Sequence, residues 1–341
     1  MSIPRKVLVT GGAGYIGAHT AVELIEAGYE PVIVDNLSKS DRTLLDGIER
    51  ITGRKVSFFQ GDCTDESFLK GVFEWAGPFQ AVMHFAAFKS VGESVENPLS
   101  YYQNNIDSHV VLLKTMKQFS VTDLIFSSSC TVYGQPDVIP VTEDAPFKRA
   151  ESPYGATKQM CERILEDAYR GGYRVVSLRY FNPVGAHPTA NLGELPIGTP
   201  NNLVPYITQT AAGVRPKLTV FGDDYDTPDG SCVRDFIHVV DLAQGHLRAM
   251  EYLGTAPPNS YEVFNLGTGE GVSVLQLIKR FIAATGVDVP YSIGPRRSGD
   301  VEKTYADPTK ANRLLKWKPA FTVEESLQHA WSWEKNIRNI K

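Results

Sequence analysis

The feature that most constrains this chain is a short apolar run, Val7-Leu8-Val9-Thr10, that passes directly into Gly11-Gly12-Ala13-Gly14-Tyr15-Ile16-Gly17 and then into a helical pattern. Glycines at this spacing let the backbone turn tightly from strand to helix. They also leave the helix N-terminus uncovered, where free N–H groups and the helix dipole favour a phosphate. Gly12-x-Gly14-x-x-Gly17 and Gly11-x-x-Gly14-x-x-Gly17 both fit, and the sequence does not choose between them. A glycine pattern by itself marks only a tight turn, so its meaning depends on a surrounding βαβ unit.

That context is present. β-Branched runs recur at residues 7–10, 32–35, 56–60 and 81–85, spaced by roughly 25 residues as βαβ repetition requires. Two more lie at 124–129 and 175–180. Ile16, Ala21, Leu24 and Ile25 return at helical spacing and stop at Gly28, a C-terminal helix signal. A longer helical stretch near 104–119 carries Ile106, Val110, Leu113 and Met116 and is expected to pack on the sheet. The fold class expected is therefore α/β: a doubly wound parallel (Rossmann) sheet with a smaller, loop-rich α/β lobe. Periodicity fails from Pro183 to about Gly230, where Pro and Gly are dense, and returns at 234–253 and 263–266. A closing helix carries Val323, Leu327, Ala330 and Trp331. The division expected is 1–182 with 235–267 as a dinucleotide-binding domain, and 183–234 with 268–341 as the second lobe.

At 341 residues, 42% hydrophobic, the chain can bury its cores without disulfides or metals. A net charge of -5 argues against a nucleic-acid-binding face, so an anionic ligand must meet locally clustered arginines. Cys63, Cys130, Cys161 and Cys232 are far apart and lack metal-ligand spacing, which fits free thiols in a reducing compartment. The first apolar run is too short for a signal-peptide core and no segment approaches a membrane span, so the cytosol is the expected location.

Asp35 ends the second strand, 18 residues past Gly17, where a carboxylate can accept from both ribose hydroxyls of an adenosine and repel a 2′-phosphate. Lys39 and Arg42 temper that repulsion, and NAD is favoured over NADP. Asp62, ending the third strand, is placed to hold the adenine amine. Tyr154 and Lys158, four residues apart at a helix start, share one face. Ser129 ends the fifth strand, on the edge where open α/β sheets place ligands. A phenol ionises near pH ~10, and each tenfold gain in acidity requires about 1.4 kcal/mol. One cation about 4 Å away contributes on the order of 4 kcal/mol at an effective dielectric of about 20. A lysine alone is thus marginal, whereas a lysine with a positive nicotinamide ring suffices. Tyr-x-x-x-Lys on its own is a common surface pair; its place after the glycine loop and Ser128-Ser129 makes it a proton-handling set.

Further strings are specific: His84-Phe85-Ala86-Ala87-Phe88-Lys89, Tyr101-Tyr102-Gln103-Asn104-Asn105, Ser127-Ser128-Ser129-Cys130-Thr131-Val132-Tyr133-Gly134 and Arg179-Tyr180-Phe181-Asn182-Pro183. With them the chain resembles, end to end, the extended short-chain dehydrogenase/reductase family in its nucleotide-sugar epimerase branch. The resemblance implies NAD held by Gly11, Gly14, Tyr15, Ile16, Gly17, Asp35, Asn36, Asp62, Cys63, Phe85, Ala86, Lys89, Asn104, Tyr154 and Lys158, with Tyr180 near the nicotinamide carboxamide. It implies a UDP-sugar held by Ser129, Thr131, Tyr154, Asn182, Asn202, Leu203, Phe221, Arg234, Arg297, Asp300 and Thr304. In that role Arg234 and Arg297 neutralise a diphosphate and Asp300 accepts from ribose. Without the resemblance, ordinary surface ion pairs account for these residues equally well.

The reaction implied is interconversion of UDP-glucose and UDP-galactose. The sugar is oxidised at C4 with Tyr154 as base and Ser129 orienting the hydroxyl; the 4-keto sugar then turns over and is reduced from its other face. Ser129, Tyr154 and Lys158 are the implied catalytic set, with no metal. Thr304 stands where the family has tyrosine in members restricted to plain sugars and a smaller residue in members that also take N-acetylated ones. UDP-N-acetylglucosamine and UDP-N-acetylgalactosamine are therefore expected substrates unless Tyr305 occupies that place. Helices near 104–119 and 154–171 resemble those of the family's dimer contact, implying a homodimer. Two other readings compete. A dehydratase needs an acidic pair where Cys130 and Thr131 stand, and a reductase consumes NADH. A dinucleotide-sensing protein has no use for Ser129, Tyr154 and Lys158.

Overall fold

Val7, Leu8 and Val9 are buried on both faces of their strand, as are Ala81, Val82 and Met83. Strands of this composition are stable only where helices cover both sides of a sheet. The computed structural model, which describes residues 5–297 and 299–340, has that architecture. The chain runs β1 (Lys6–Thr10), α1 (Tyr15–Glu26), β2 (Glu30–Asp35), α2 (Thr43–Thr52), β3 (Ser57–Gln60), α3 (Glu66–Ala76) and β4 (Ala81–His84). It continues with α4 (Val91–Glu96), α5 (Pro98–Gln118), β5 (Asp123–Ser129), α6 (Pro153–Ala168) and β6 (Arg174–Tyr180). Next come β7 (Asn182–Val184), α7 (Leu203–Ala211), β8 (Leu218–Phe221), β9 (Val233–Arg234), β10 (Phe236–His238), α8 (Val239–Leu253) and β11 (Ser260–Leu266). The chain closes with β12 (Val272–Ser273), α9 (Val274–Thr285), β13 (Tyr291–Gly294), β14 (Lys303–Thr304), α10 (Thr309–Leu314) and α11 (Val323–Arg338).

Seven strands form one parallel sheet in the order β11-β6-β5-β4-β1-β2-β3, the doubly wound fold that the repeats of strand and helix imply. Thr10 lies level with Val34 on one side and His84 on the other, so β1 and both its neighbours end at one edge. Strand order reverses between β1 and β4, and the crevice beyond that edge is where open α/β sheets bind ligands. α1 covers one face with Ala18, Ala21, Val22, Leu24 and Ile25. Burying a leucine-sized side chain contributes roughly 1.5–3 kcal/mol. The helix ends as its sequence indicates: Gly28 takes φ 82°, and the Tyr29 N–H donates to the Leu24 carbonyl at 2.8 Å.

A second core has its own composition, with Val204, Ile207, Val220, Leu277, Phe281 and Leu327 drawn from α7, β8, α9 and α11. Sequence and structure differ here. The stretch from Pro183 to Gly230 reads as loop, yet it holds α7 and β8. Both are too short, and too closely flanked by Pro and Gly, for periodicity to show. Ala311, Leu315, Trp317 and Trp333 lie in a core of the large sheet, so the chain after residue 268 serves both cores. α5 starts earlier than its pattern suggests, and Val110 faces outward while Asn105, Ser108 and His109 are buried. No described helix is long and apolar enough to cross a membrane.

Candidate active site

The sheet edge at the reversal point opens into a cleft of about 410 Å³. The glycine loop forms one wall. Gly11 adopts φ +71°, and a Cβ there would lie 2.6 Å from the Ala86 nitrogen; a Cβ on Gly17 would lie 2.5 Å from the Gly11 carbonyl oxygen. Only glycine permits this approach of β1, β4 and α1. Gly11, Gly14 and Gly17 line the cleft, whereas Gly12 turns toward Ile33, 2.8 Å from where its Cβ would be. The structure thus resolves the two spacings that the sequence leaves open.

Tyr15, Ile16, Asp35, Asn36, Asp62, Cys63, Phe85, Ala86, Lys89, Asn104 and Tyr180 also line this cleft. Asp35 is oriented by the Ala13 N–H (3.2 Å), the Leu37 N–H (2.9 Å) and the Ser40 hydroxyl (2.7 Å). Burial pushes the Asp62 carboxyl up, but hydrogen bonds from Thr64 and Asn36 prevail and hold it below the usual range. Lys39 is paired with Glu93 at 2.7 Å and Arg42 donates to Gln60 at 2.7 Å. The Tyr180 hydroxyl meets the His246 ring nitrogen, behind the cleft wall. The glycine cradle and buried carboxylate fit a dinucleotide.

Tyr154 and Lys158 come from the first turns of α6, and Ser129 from the end of β5. α6 begins there because Ser152 caps it, accepting from the Gly155 N–H at 3.2 Å, and Pro153 fills a position that needs no N–H. All three side chains face the cleft. The Lys158 ammonium donates to the Ser127 carbonyl at 2.6 Å and stands 6.0 Å from the Tyr154 ring centre. Burial pushes it down to about 8, against the charges of Cys161 and Glu162. Burial also pushes the Tyr154 phenol up to about 12, against the pull of the Ser129 hydroxyl. Beneath them Glu162 binds Arg179 at 2.6 Å and Ser128, a buried pair that fixes α6 to β5 and β6.

Thr131 and Asn182 line the cleft, and Thr131 Oγ1 and Asn182 Oδ1 are buried with no partner. A buried polar atom without a partner is costly, and both of these atoms can accept a hydrogen bond from a group in the cleft. Asn202 also reaches the cleft, with Leu203 following it at the start of α7. Phe221, Arg234, Arg297 and Asp300 form a separate cluster. Arg297 binds Asp300 at 2.7 Å, Arg234 stands 3.6 Å from the same carboxylate, and the Arg297 guanidinium lies 5.6 Å from the Phe221 ring centre. This cluster borders the cleft through Cys130, whose thiol burial pushes up to about 12 although Arg234 draws it down.

Thr304 pairs with Arg234 across β14 and β9 and is buried. The Tyr305 ring packs over Gly271, where a Cβ would meet it at 2.8 Å. Ala306, two residues on, packs with Val132, Tyr133 and Phe181, and Thr304 itself does not line the cleft. Glu194 also lines the cleft, and sequence reasoning passed over it because its Gly-Glu-Leu-Pro surroundings carry no period.

The family model described as GDP-mannose 4,6 dehydratase matches residues 8–330. The UDP-glucose 4-epimerase of Dictyostelium discoideum is 49% identical over 97% of this chain and 96% of its own. The chain is an extended short-chain dehydrogenase/reductase of the UDP-glucose 4-epimerase family. A crystal structure of the Bifidobacterium longum epimerase in complex with NAD+ and UDP superposes with a TM-score of 0.95 at 46% identity, covering 98% of this chain and all of that one. The UDP-Glc/GlcNAc 4-epimerase of Campylobacter jejuni, at 39% identity, reaches a TM-score of 0.82 over 97% of this chain and 99% of its own. Epimerase-family membership accounts for the order of glycine loop, Ser129, Tyr154 and Lys158.

Proposed function

We propose that this chain interconverts UDP-glucose and UDP-galactose, with NAD retained through the cycle, by oxidising the sugar at C4 and reducing the 4-keto sugar from its other face. The observation that carries this reading is the convergence of Ser129, Tyr154 and Lys158 on a cleft that also holds the glycine loop and Asp35. NAD over NADP is supported by Lys39 and Arg42, each already bonded to a neighbour rather than left to meet a 2′-phosphate.

Tyr154 Oη takes the proton of the C4 hydroxyl and later returns it, and Ser129 orients that hydroxyl. Lys158, held by the Ser127 carbonyl 2.6 Å away and 6.0 Å from the Tyr154 ring centre, favours the phenolate; a cation at about that distance from the charged ring supplies about 3 kcal/mol at an effective dielectric of about 20, roughly a hundredfold gain in acidity. From a phenol standing at about 12 that is too little for neutral pH. Bound NAD supplies the hydride acceptor and donor and, while oxidised, the second positive charge that Lys158 does not provide. Arg234 and Arg297 neutralise the diphosphate beside Phe221, with Asp300, Asn202 and Leu203 on the nucleoside side. Thr131 and Asn182 meet the sugar with few contacts, so the ketone can turn over on its anchored diphosphate.

The small side chain of Thr304, with the Tyr305 ring packed over Gly271, favours N-acetylated UDP-hexosamines as a second substrate pair. A homodimer through α5 and α6 is supported by Leu99, Val110 and Met160, apolar side chains exposed on those helices. A reducing, cytosolic location is supported by four unpaired cysteines. The test of the central reading is Tyr154→Phe with UDP-galactose and no added cofactor. Turnover should fall by about 10²–10⁴-fold while the dinucleotide stays bound. Undiminished turnover removes Tyr154 from the role of base, and net formation of NADH by the wild type identifies a dehydrogenase instead.

A further inference from the structure

We infer that Glu194 is a positioning residue that ties the dinucleotide end of the cleft to the nucleotide-sugar end, so that the grip on UDP depends on Lys89 through one shared carboxylate. The inference rests on the proposed function for the identity of the two ends. Glu194 Oε1 accepts from Lys89 Nζ at 3.1 Å and from Asn202 Nδ2 at 2.6 Å. Lys89 follows β4 in the large sheet, whereas Asn202 precedes α7 in the second core. One oxygen therefore joins the segment after β4 to the start of α7 across the cleft that all three residues line.

The carboxylate is held rigidly enough to do this. Its side chain is 12% exposed, against 54% for Lys89. The Glu194 carbonyl accepts from the Trp333 indole at 2.9 Å, and the indole lies where a Cβ on Gly193 would be, 2.4 Å away, so the loop rests flat on the ring. Glu194 also stands close to the glycine loop: the Tyr15 phenol is pushed up by burial first and then by the Glu194 charge. Asn202 occupies the N-cap position of α7 but makes no side-chain cap bond there, and its Nδ2 instead donates to Glu194. Asparagine in that position ordinarily caps the helix. The side-chain bond that holds it at the cleft is thus to Glu194 rather than to α7, and loss of the Lys89 charge changes the acceptor that Asn202 sees. Such coupling is reciprocal between the two ends.

Calorimetric titration of UDP into the NAD-loaded protein tests this with wild type, Lys89→Met, Asn202→Ala and the double variant. Because both side chains act through one carboxylate, the double variant should bind UDP at least about fivefold more tightly than the product of the single effects requires. Glu194→Gln still accepts from Asn202 but no longer attracts Lys89; it should weaken UDP binding by about fivefold or more, and Lys89→Met should add nothing further in that background. Single effects that multiply independently to within about twofold overturn the inference. Should Glu194→Gln fail to fold, the Lys89 and Asn202 cycle decides, since it keeps the carboxylate. A wild type that binds no UDP overturns the proposed function and this inference with it, whereas UDP binding with independent effects overturns the inference alone.

Discussion

Tyr154, the proposed base, is held protonated by its own surroundings. Burial that keeps water from the sugar also lifts the phenol to about 12 and lowers the Lys158 ammonium to about 8. Both changes have one cause, loss of solvent around charge, and their consequence is a group at rest until a further positive charge arrives. In the proposed reading a single residue also sets the breadth of the substrate pocket. Thr304 is buried, and in that reading Thr304→Tyr places a ring where the acetamido group would lie. Overpacking of that kind costs about 1–3 kcal/mol, which is a loss of roughly 5- to 150-fold in kcat/KM for the N-acetylated sugars, with plain sugars little affected. An equal loss for both classes would show that residue 304 does not face the acetyl group.

At the scale of elements, the site is only as good as the starts of α1 and α6. Gly17→Ala drives a methyl against the Gly11 carbonyl, 2.5 Å from the ideal position, and should yield protein that no longer retains dinucleotide on gel filtration; full retention would contradict the account of the glycine cradle. Ser152→Ala removes the cap of α6 and should cost about 1 kcal/mol of stability in urea unfolding, with a fall in kcat because Tyr154 lies in the uncapped first turn. Elements of this sort were legible in the sequence because their signals are local. The glycine loop and Gly28 each fix a backbone conformation without distant help. α7 and β8 were not legible, since their apolar residues face a core built from α9 and α11 far along the chain. Nor was the bonding of Lys39 to Glu93, of Arg42 to Gln60, or of Glu194 to both Lys89 and Asn202, all of which arise only when distant segments meet. The proposed catalytic set rests on its order along β5 and α6, whereas the separation of the arginine cluster from the main cleft is a product of tertiary packing.

The whole molecule carries an acid-sensitivity spread through its cores. Burial, the largest cause in each case, lowers His19 and His109 from 6.5 to about 3, His246 to about 4 and His238 to about 2, and holds His84 well below its ordinary value. The unfolded chain binds these protons between about pH 4 and 6.5 and the folded one does not, so stability falls as pH drops through that window, by up to about 1.4 kcal/mol per pH unit for each group. Glu23, raised by burial from 4.5 to about 7, acts in the opposite sense and offsets one of them. Urea unfolding at a series of pH values should therefore show a steep loss of stability from pH 6.5 downward, and a flat profile to pH 5 would mean that the histidines are not buried as described. The mechanism, though, stands on the charge state of one phenol in the assembled holoenzyme. Its most direct measurement is the ultraviolet titration of tyrosinate in wild type minus Tyr154→Phe, with the protein loaded either with NAD+ or with NADH. The account predicts that Tyr154 ionises at least about two pH units lower beside the oxidised, positively charged ring than beside the reduced, neutral one, and equal ionisation in the two states would contradict it.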